Sequence, residues 1–187
     1  MTRRVVSNAS PLIYATKIGF LETLGKLYGK ILIPPVVYNE VVEKGMEKKA
    51  ADALVIGEAI REGWLQVVEL DERARAEIQV LAKMLNISVG EAEAIALAKQ
   101  VKVELLIIDE RSGTLAARVW GIKTVGLLGA IIEAMYEGIT TFEELKTYYN
   151  RLIETEFRLK YQDYMKALAL AEKAWRKLRE REQMGIR

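Results

Sequence analysis

Five short runs rich in β-branched or other apolar residues punctuate the first two-thirds of the chain: RVVS (4–7), ILIP (31–34), LQVVEL (65–70), ELLIID (104–109) and IKTVG (122–126). Between them apolar residues recur every three or four positions, over about 11–27, 36–62 (with a break expected near Gly45), 73–86, 90–101 and 111–120, and again over 127–137. Two strands separated by a helix pair most simply in parallel, and the crossover helices then cover both faces of the sheet. The alternation therefore predicts an α/β fold, a three-layer α/β/α sandwich around a parallel sheet of about five strands with right-handed crossovers.

The pattern changes after Gly138. Thr141-Phe142-Glu143-Glu144 fits a capping box, and no Pro or Gly follows until Gly185. Ile153, Phe157, Tyr161, Tyr164, Leu168, Ala171, Trp175 and Leu178 form an amphipathic stripe. Residues 1–138 are thus expected to form the α/β domain and 139–187 a C-terminal helical extension. The stripe can pack on its own domain or on a second copy, and a homo-oligomer is expected.

What the chain lacks narrows its chemistry. With no cysteine there are no disulfides or thiolate nucleophiles, and with no histidine there is neither a histidine general base nor a histidine metal site. Polar catalysis must use carboxylates, hydroxyls, amides, Lys or Arg. The only near-match to a phosphate-binding glycine loop, GKLYGK (25–30), is one residue short, lacks the final Ser/Thr and precedes a strand. No leader or membrane span is expected, which places the protein in the cytoplasm. The net charge of +2 is uneven: residues 1–150 carry 18 cations against 20 acids, and residues 151–187 carry 10 against 6.

Polar residues recur where a parallel α/β sheet puts its ligands, beyond the carboxyl ends of the strands. Ser7-Asn8-Ala9-Ser10 closes the first run, and Asp109-Glu110-Arg111 closes the fourth. Glu40 follows Pro34-Pro35 by about one and a half turns. Glu91 opens GEAEAIALA (90–98), a helix that beyond Glu91 and Glu93 carries only small or apolar residues. Ser88 and Glu91 also fit a capping box, so Glu91 has both a structural and a chemical reading. Carboxylates with no nitrogen or sulfur ligand suit a hard cation, Mg²⁺ or Mn²⁺, which can activate water and neutralise charge on a phosphodiester.

In this order and spacing the segments VVSNASPLIYATKIGFLETL, PPVVYNEV, GEAEAIALAKQ, LLIIDERSG and KTVGLLGAII resemble the PIN-domain family, in its branch of prokaryotic PIN-like proteins similar to VapC-type toxin ribonucleases. The likeness spans about residues 4–137. It implies a metal-dependent ribonuclease, commonly the toxin of a toxin–antitoxin pair. In that picture Glu40, Glu91 and Asp109 are the catalytic, metal-holding acids, Asn8 completes the metal site, and Ser10 supplies a hydroxyl. Asn8 departs from the family, where an acid often stands, and its neutrality lowers the charge that attracts an ion. Glu93 has a supporting place at most, since two residues of helix turn it about 160° from Glu91. Arg111 and Arg118 are candidates to bind substrate phosphates. The leading expectation is a divalent-metal endoribonuclease with RNA as substrate and an antitoxin protein as a partner. The rival is a catalytically weak PIN-like module that binds RNA or protein.

Overall fold

The computed structural model describes residues 4–103, 105–157 and 159–183. One sheet holds β1 (Arg4–Ser7), β2 (Lys30–Ile33), β3 (Leu65–Val67), β4 (Leu105–Ile107) and β5 (Lys123–Val125), in the order β3-β2-β1-β4-β5. Every neighbouring pair is parallel, with Arg4 opposite Lys30, Ser7 opposite Ile107 and Leu105 opposite Lys123. All five expected strands are present. Residue 104, where the fourth run was expected to begin, lies outside the described residues.

Strand residues alternate between two cores, as the two-residue period of a strand requires. Val5, Ile31, Ile33 and Ile107 face one core, while Val6, Leu32 and Leu106 face the other. The second core is closed by α6 (Glu72–Leu85), α7 (Val89–Gln100) and α8 (Arg111–Val119). Here α7 is the alanine helix. Ala92, Ala94, Ile95, Ala96, Leu97 and Ala98 are all buried, because α7 lies between the sheet and α6 and α8. Small side chains let those neighbours approach closely, which is why the helix shows almost no solvent face.

The first core is built by α1 (Ala9–Lys17), α2 (Leu21–Tyr28), α9 (Leu127–Tyr136) and the connection from β2 to β3. That connection departs from the uniform helix expected over 36–62. It runs through α3 (Pro35–Tyr38), a π-helical segment (Asn39–Glu43), α4 (Lys44–Glu47) and α5 (Ala51–Arg61). The break falls at residues 48–50, where Lys49 has φ +55°, and not at Gly45. Gly45 serves packing instead: a Cβ there would come within 2.6 Å of Ala53 Cβ. The helix expected over 11–27 is likewise two helices.

The C-terminal stripe is divided between α10 (Phe142–Ile153), opened by the Thr141–Glu144 capping box, and α11 (Tyr161–Gln183). Leu145, Tyr149, Leu152, Ala167 and Ala171 join the same buried cluster as Val5 and Ile131, so both helices complete the first core. Aromatic contacts fix the join: Phe157 meets Tyr14 edge-on at 4.9 Å and Trp175 stacks on Phe142 at 5.1 Å. Ile153 and Tyr161 are the most exposed of the stripe, at 54% and 75%, and Trp175 keeps 37%. Among the described residues no helix is long and apolar enough to cross a membrane.

Candidate active site

The strand order reverses between β1 and β4. These neighbours leave their crossovers in opposite directions, which opens a crevice beyond their carboxyl ends. The backbone N–H of Asn8 donates to Ile107 C=O at 3.2 Å, closing the sheet at that point. Asn8 occupies the N-cap position of α1, yet its side chain makes no capping bond. Its Nδ2 instead donates to Glu110 Oε2 at 2.8 Å, and its enclosed Oδ1 has no partner. Ser10 lies in the first turn of α1, partly exposed.

The two acids after β4 part company. Asp109 Oδ1 accepts the N–H of Leu127, the first residue of α9, at 2.7 Å. Its Oδ2 is shielded from solvent and unpartnered, although the residue as a whole keeps some exposure. Desolvation pushes the Asp109 carboxyl up to about 7. The Leu127 N–H opposes that rise, and the charge of Glu110 adds to it. Glu110 points the other way, into the contact with Asn8. It was not singled out in the sequence, where DE offers two adjacent acids and no means of choosing between them. A chain leaving a strand alternates its side chains, so two neighbours cannot share one direction.

Glu91 performs the capping role read for it and also reaches across to α8. Its Oε2 accepts the N–H of Ser88 at 2.8 Å while Ser88 Oγ accepts the N–H of Glu91, which forms the capping box. Its Oε1 accepts the hydroxyl of Ser112 in α8 at 3.1 Å, and the residue is 6% exposed. Gly113 makes room for this carboxylate, because a Cβ there would lie 2.6 Å from Glu91 Oε1 and 2.3 Å from Ile108 Cδ1. Ser112 and Gly113 are therefore part of the site's frame. They stand in LLIIDERSG, but only the fold brings them to Glu91.

Glu40 sits in the π-helical segment, a distortion frequent at functional sites. Its carboxylate borders the first turn of α7, 3.6 Å from where Gly90 would carry a Cβ. Although Glu40 is largely exposed, partial desolvation raises its pKa; Lys44 lowers it, and the charge of Glu110 raises it further. Glu93 accepts the N–H of Val36 at 3.2 Å and so caps α3, tying α7 to the segment that bears Glu40. This fits the divergence from Glu91 expected from helix geometry.

The two arginines separate. Arg111 is exposed in the first turn of α8, beside Glu110. Arg118 lies seven residues further along, about 10 Å down a helix that runs back against the strands. It lines a groove with Leu105 and Lys123 at the amino ends of β4 and β5, so the expectation of Arg118 at the site mouth is not met.

The donor set is compatible with a hard cation. It contains only oxygens, and Asn8 Oδ1 and Asp109 Oδ2 are enclosed acceptors lacking a donor. Among the described residues, however, no three acids already stand close enough to hold one ion together. A family model described as a PIN domain, DUF3368, matches residues 4–173. The chain belongs to the PIN-domain family. That membership suggests a nuclease-type function, and PIN domains generally use divalent metals. The match reaches into α11, so it includes helices that the sequence set apart as an extension. Comparison with curated proteins gave no match.

Proposed function

We propose that this PIN domain is a divalent-metal-dependent endoribonuclease. The observation that supports it best is the meeting of Asn8 and Glu110 at the switch point, with two unpartnered enclosed oxygens there and Glu40 and Glu91 on neighbouring elements. Asn8 Oδ1, Glu40, Glu91 and Asp109 would hold Mg²⁺ or Mn²⁺, with Glu110 as a further ligand. When bound, the ion supplies charge neutralisation at a phosphodiester and activates water.

The remaining work falls to the chain itself. Glu110 orients the Asn8 amide so that its oxygen stays available. Ser112 holds one oxygen of Glu91, and Glu93 fixes the segment bearing Glu40. Arg111 binds a substrate phosphate at the open side, and the Ser10 hydroxyl contributes a hydrogen bond there.

The test is cleavage of a fluorescent single-stranded RNA with Mn²⁺, with Mg²⁺ and with EDTA. Cleavage is expected only with metal, and Glu40→Gln and Glu110→Gln should each lower it by about 100-fold, the scale of losing one charge-stabilising group. Cutting that survives EDTA, or that both variants leave intact, would sink the proposal. The toxin role predicts growth arrest on expression, relieved by an antitoxin encoded beside it. A second reading, a PIN-like module that binds RNA without cutting it, draws on the neutral Asn8 and on the commitment of Glu91 to its cap. RNA binding without cleavage at saturating Mn²⁺ would favour it.

A further inference from the structure

The opposite edge of the sheet carries the other sign. Arg4, Lys30 and Lys123 are the first residues of β1, β2 and β5, and the registers Arg4–Lys30 and Leu105–Lys123 align them along the amino edge. Arg4, Lys102 and Lys123 line a cavity of about 430 Å³ whose apolar floor includes Val5, Val103 and Leu105. A second cavity of about 610 Å³ adjoins it through Leu105 and Lys123 and adds Arg118.

None of these four cations forms an ion pair with a described residue. Glu133 is the described carboxylate on the shared wall, and it accepts the Tyr28 hydroxyl at 2.8 Å. Glu104, next in the chain to this wall, lies outside the described residues. Helix C-termini favour nearby cations, which accounts for Arg118 in the last turn of α8. It accounts equally for Lys102, which follows the C-cap of α7 in a left-handed conformation at φ +52°, but not for Arg4 and Lys123, which begin strands. Four cations with no ion-pair partner among the described residues, along one groove, create a field that attracts a chain of phosphates.

We infer that the amino-edge groove of Arg4, Lys102, Arg118 and Lys123 is a second binding surface for the phosphate backbone of single-stranded RNA, separate from the acidic site. This rests on RNA being the ligand of the PIN domain. The edges lie on opposite ends of β1, whose four residues span about 13 Å at roughly 3.3 Å each. A strand held in the groove must therefore pass around the domain to reach the acids, so RNA long enough to do so gains affinity over RNA a few nucleotides long.

The experiment is fluorescence anisotropy of a labelled 20-nucleotide RNA, in EDTA, over a range of salt. The groove variant combines Arg4→Gln, Lys102→Asn (Asn tolerates the left-handed backbone), Arg118→Gln and Lys123→Gln. Each lost phosphate contact on a single strand lowers the salt slope by roughly 0.7, so four should lower it by about 3 and weaken binding near 0.1 M salt by roughly 100-fold. A control variant, Lys26→Gln with Arg61→Gln and Lys146→Gln, should change the slope much less, and thermal melts confirm that both variants fold. An unchanged slope in the folded groove variant overturns the inference, as does an equal loss in the control. If the groove variant does not fold, Lys123→Gln alone should lower the slope by about one contact, and no change there overturns it too. Because no metal is present, failure here leaves the nuclease proposal standing, and absence of cleavage leaves this binding test valid.

Discussion

The carboxyl and amino edges of one five-stranded sheet carry opposite charge, but they hold it in different ways. At the carboxyl edge the acids are drawn inward: Glu91 is buried and bonded, Asp109 has an enclosed oxygen, and Glu110 is held by Asn8. At the amino edge Arg4, Lys102 and Lys123 line open grooves without ion-pair partners among the described residues. Helix dipoles favour this segregation wherever helices run antiparallel to the strands, so charge sign alone says little about function. Desolvation is the informative difference. A buried acid costs stability that only a ligand or a proton returns, whereas an exposed cation costs almost nothing.

The largest effect expected is a pH dependence confined to the acidic edge. The Asp109 carboxyl titrates near 7 in the fold against an ordinary value of 3.8, so between these values the folded protein binds more protons than the unfolded chain. Stability should fall as pH rises from about 4 to about 7 and then level off, a loss of about 4 kcal/mol at full amplitude. Asp109→Asn should remove most of that slope, gaining on the parent protein above pH 7 and converging with it near pH 4. Urea midpoints across pH in EDTA check this, and parallel curves would show that Asp109 is not the desolvated group. Lys123→Gln, at the other edge, should leave the slope as it is.

Packing around the acids comes next. Gly113→Ala places a methyl against Ile108 and Glu91 and should cost about 1–3 kcal/mol in chemical denaturation. It should also weaken Mn²⁺ binding, measured by calorimetry, because Glu91 and Ser112 are pushed apart. A destabilised protein with intact metal affinity would remove Glu91 from the metal site while keeping it in the frame.

Smaller still is the contrast between the two capping boxes. Ser88→Ala and Thr141→Ala should each cost about 1 kcal/mol of stability. Only Ser88→Ala should also lower RNA cleavage, since losing the hydroxyl that accepts the Glu91 N–H loosens the first turn of α7, which carries the carboxylate facing α8. Equal cleavage in both variants would mean that the Ser88 box does not position Glu91 for chemistry. A change of the same size is expected in Asn8→Asp, which trades the bond to Glu110 for repulsion and should lower metal-free stability by about 1 kcal/mol. It should tighten Mn²⁺ binding by added charge, and unchanged affinity would place Asn8 outside the site.

Much of the fold was legible because its signals are local. The five strand runs lie within a residue or two of the observed strands, apart from the end of the third, and Ser88 and Thr141 cap as their spacing predicts. The site was legible as segments but not as directions. Whether Asp109 or Glu110 meets Asn8 depends on where α9 begins, since Leu127 claims Asp109. The π-helical segment around Glu40 has no marker in PPVVYNEV, because it arises from how α3 and α5 fit against α1 and α7. The separation of Arg118 from Arg111 follows from the direction of α8, which no charge pattern reveals.

The central position of β1 has a consequence for how the molecule is made. During synthesis β1 can pair with β2 after about thirty residues, but its other neighbour, β4, follows some seventy residues later still. Pairings so distant in sequence form late, since the intervening chain must be closed into a loop before they contribute. Asn8 and Glu110, 102 residues apart, therefore meet late, and the first core is completed only after α11 arrives. A growing chain carries Asn8 and Glu40 long before the elements that surround them, so this edge of the sheet takes its final form late in synthesis.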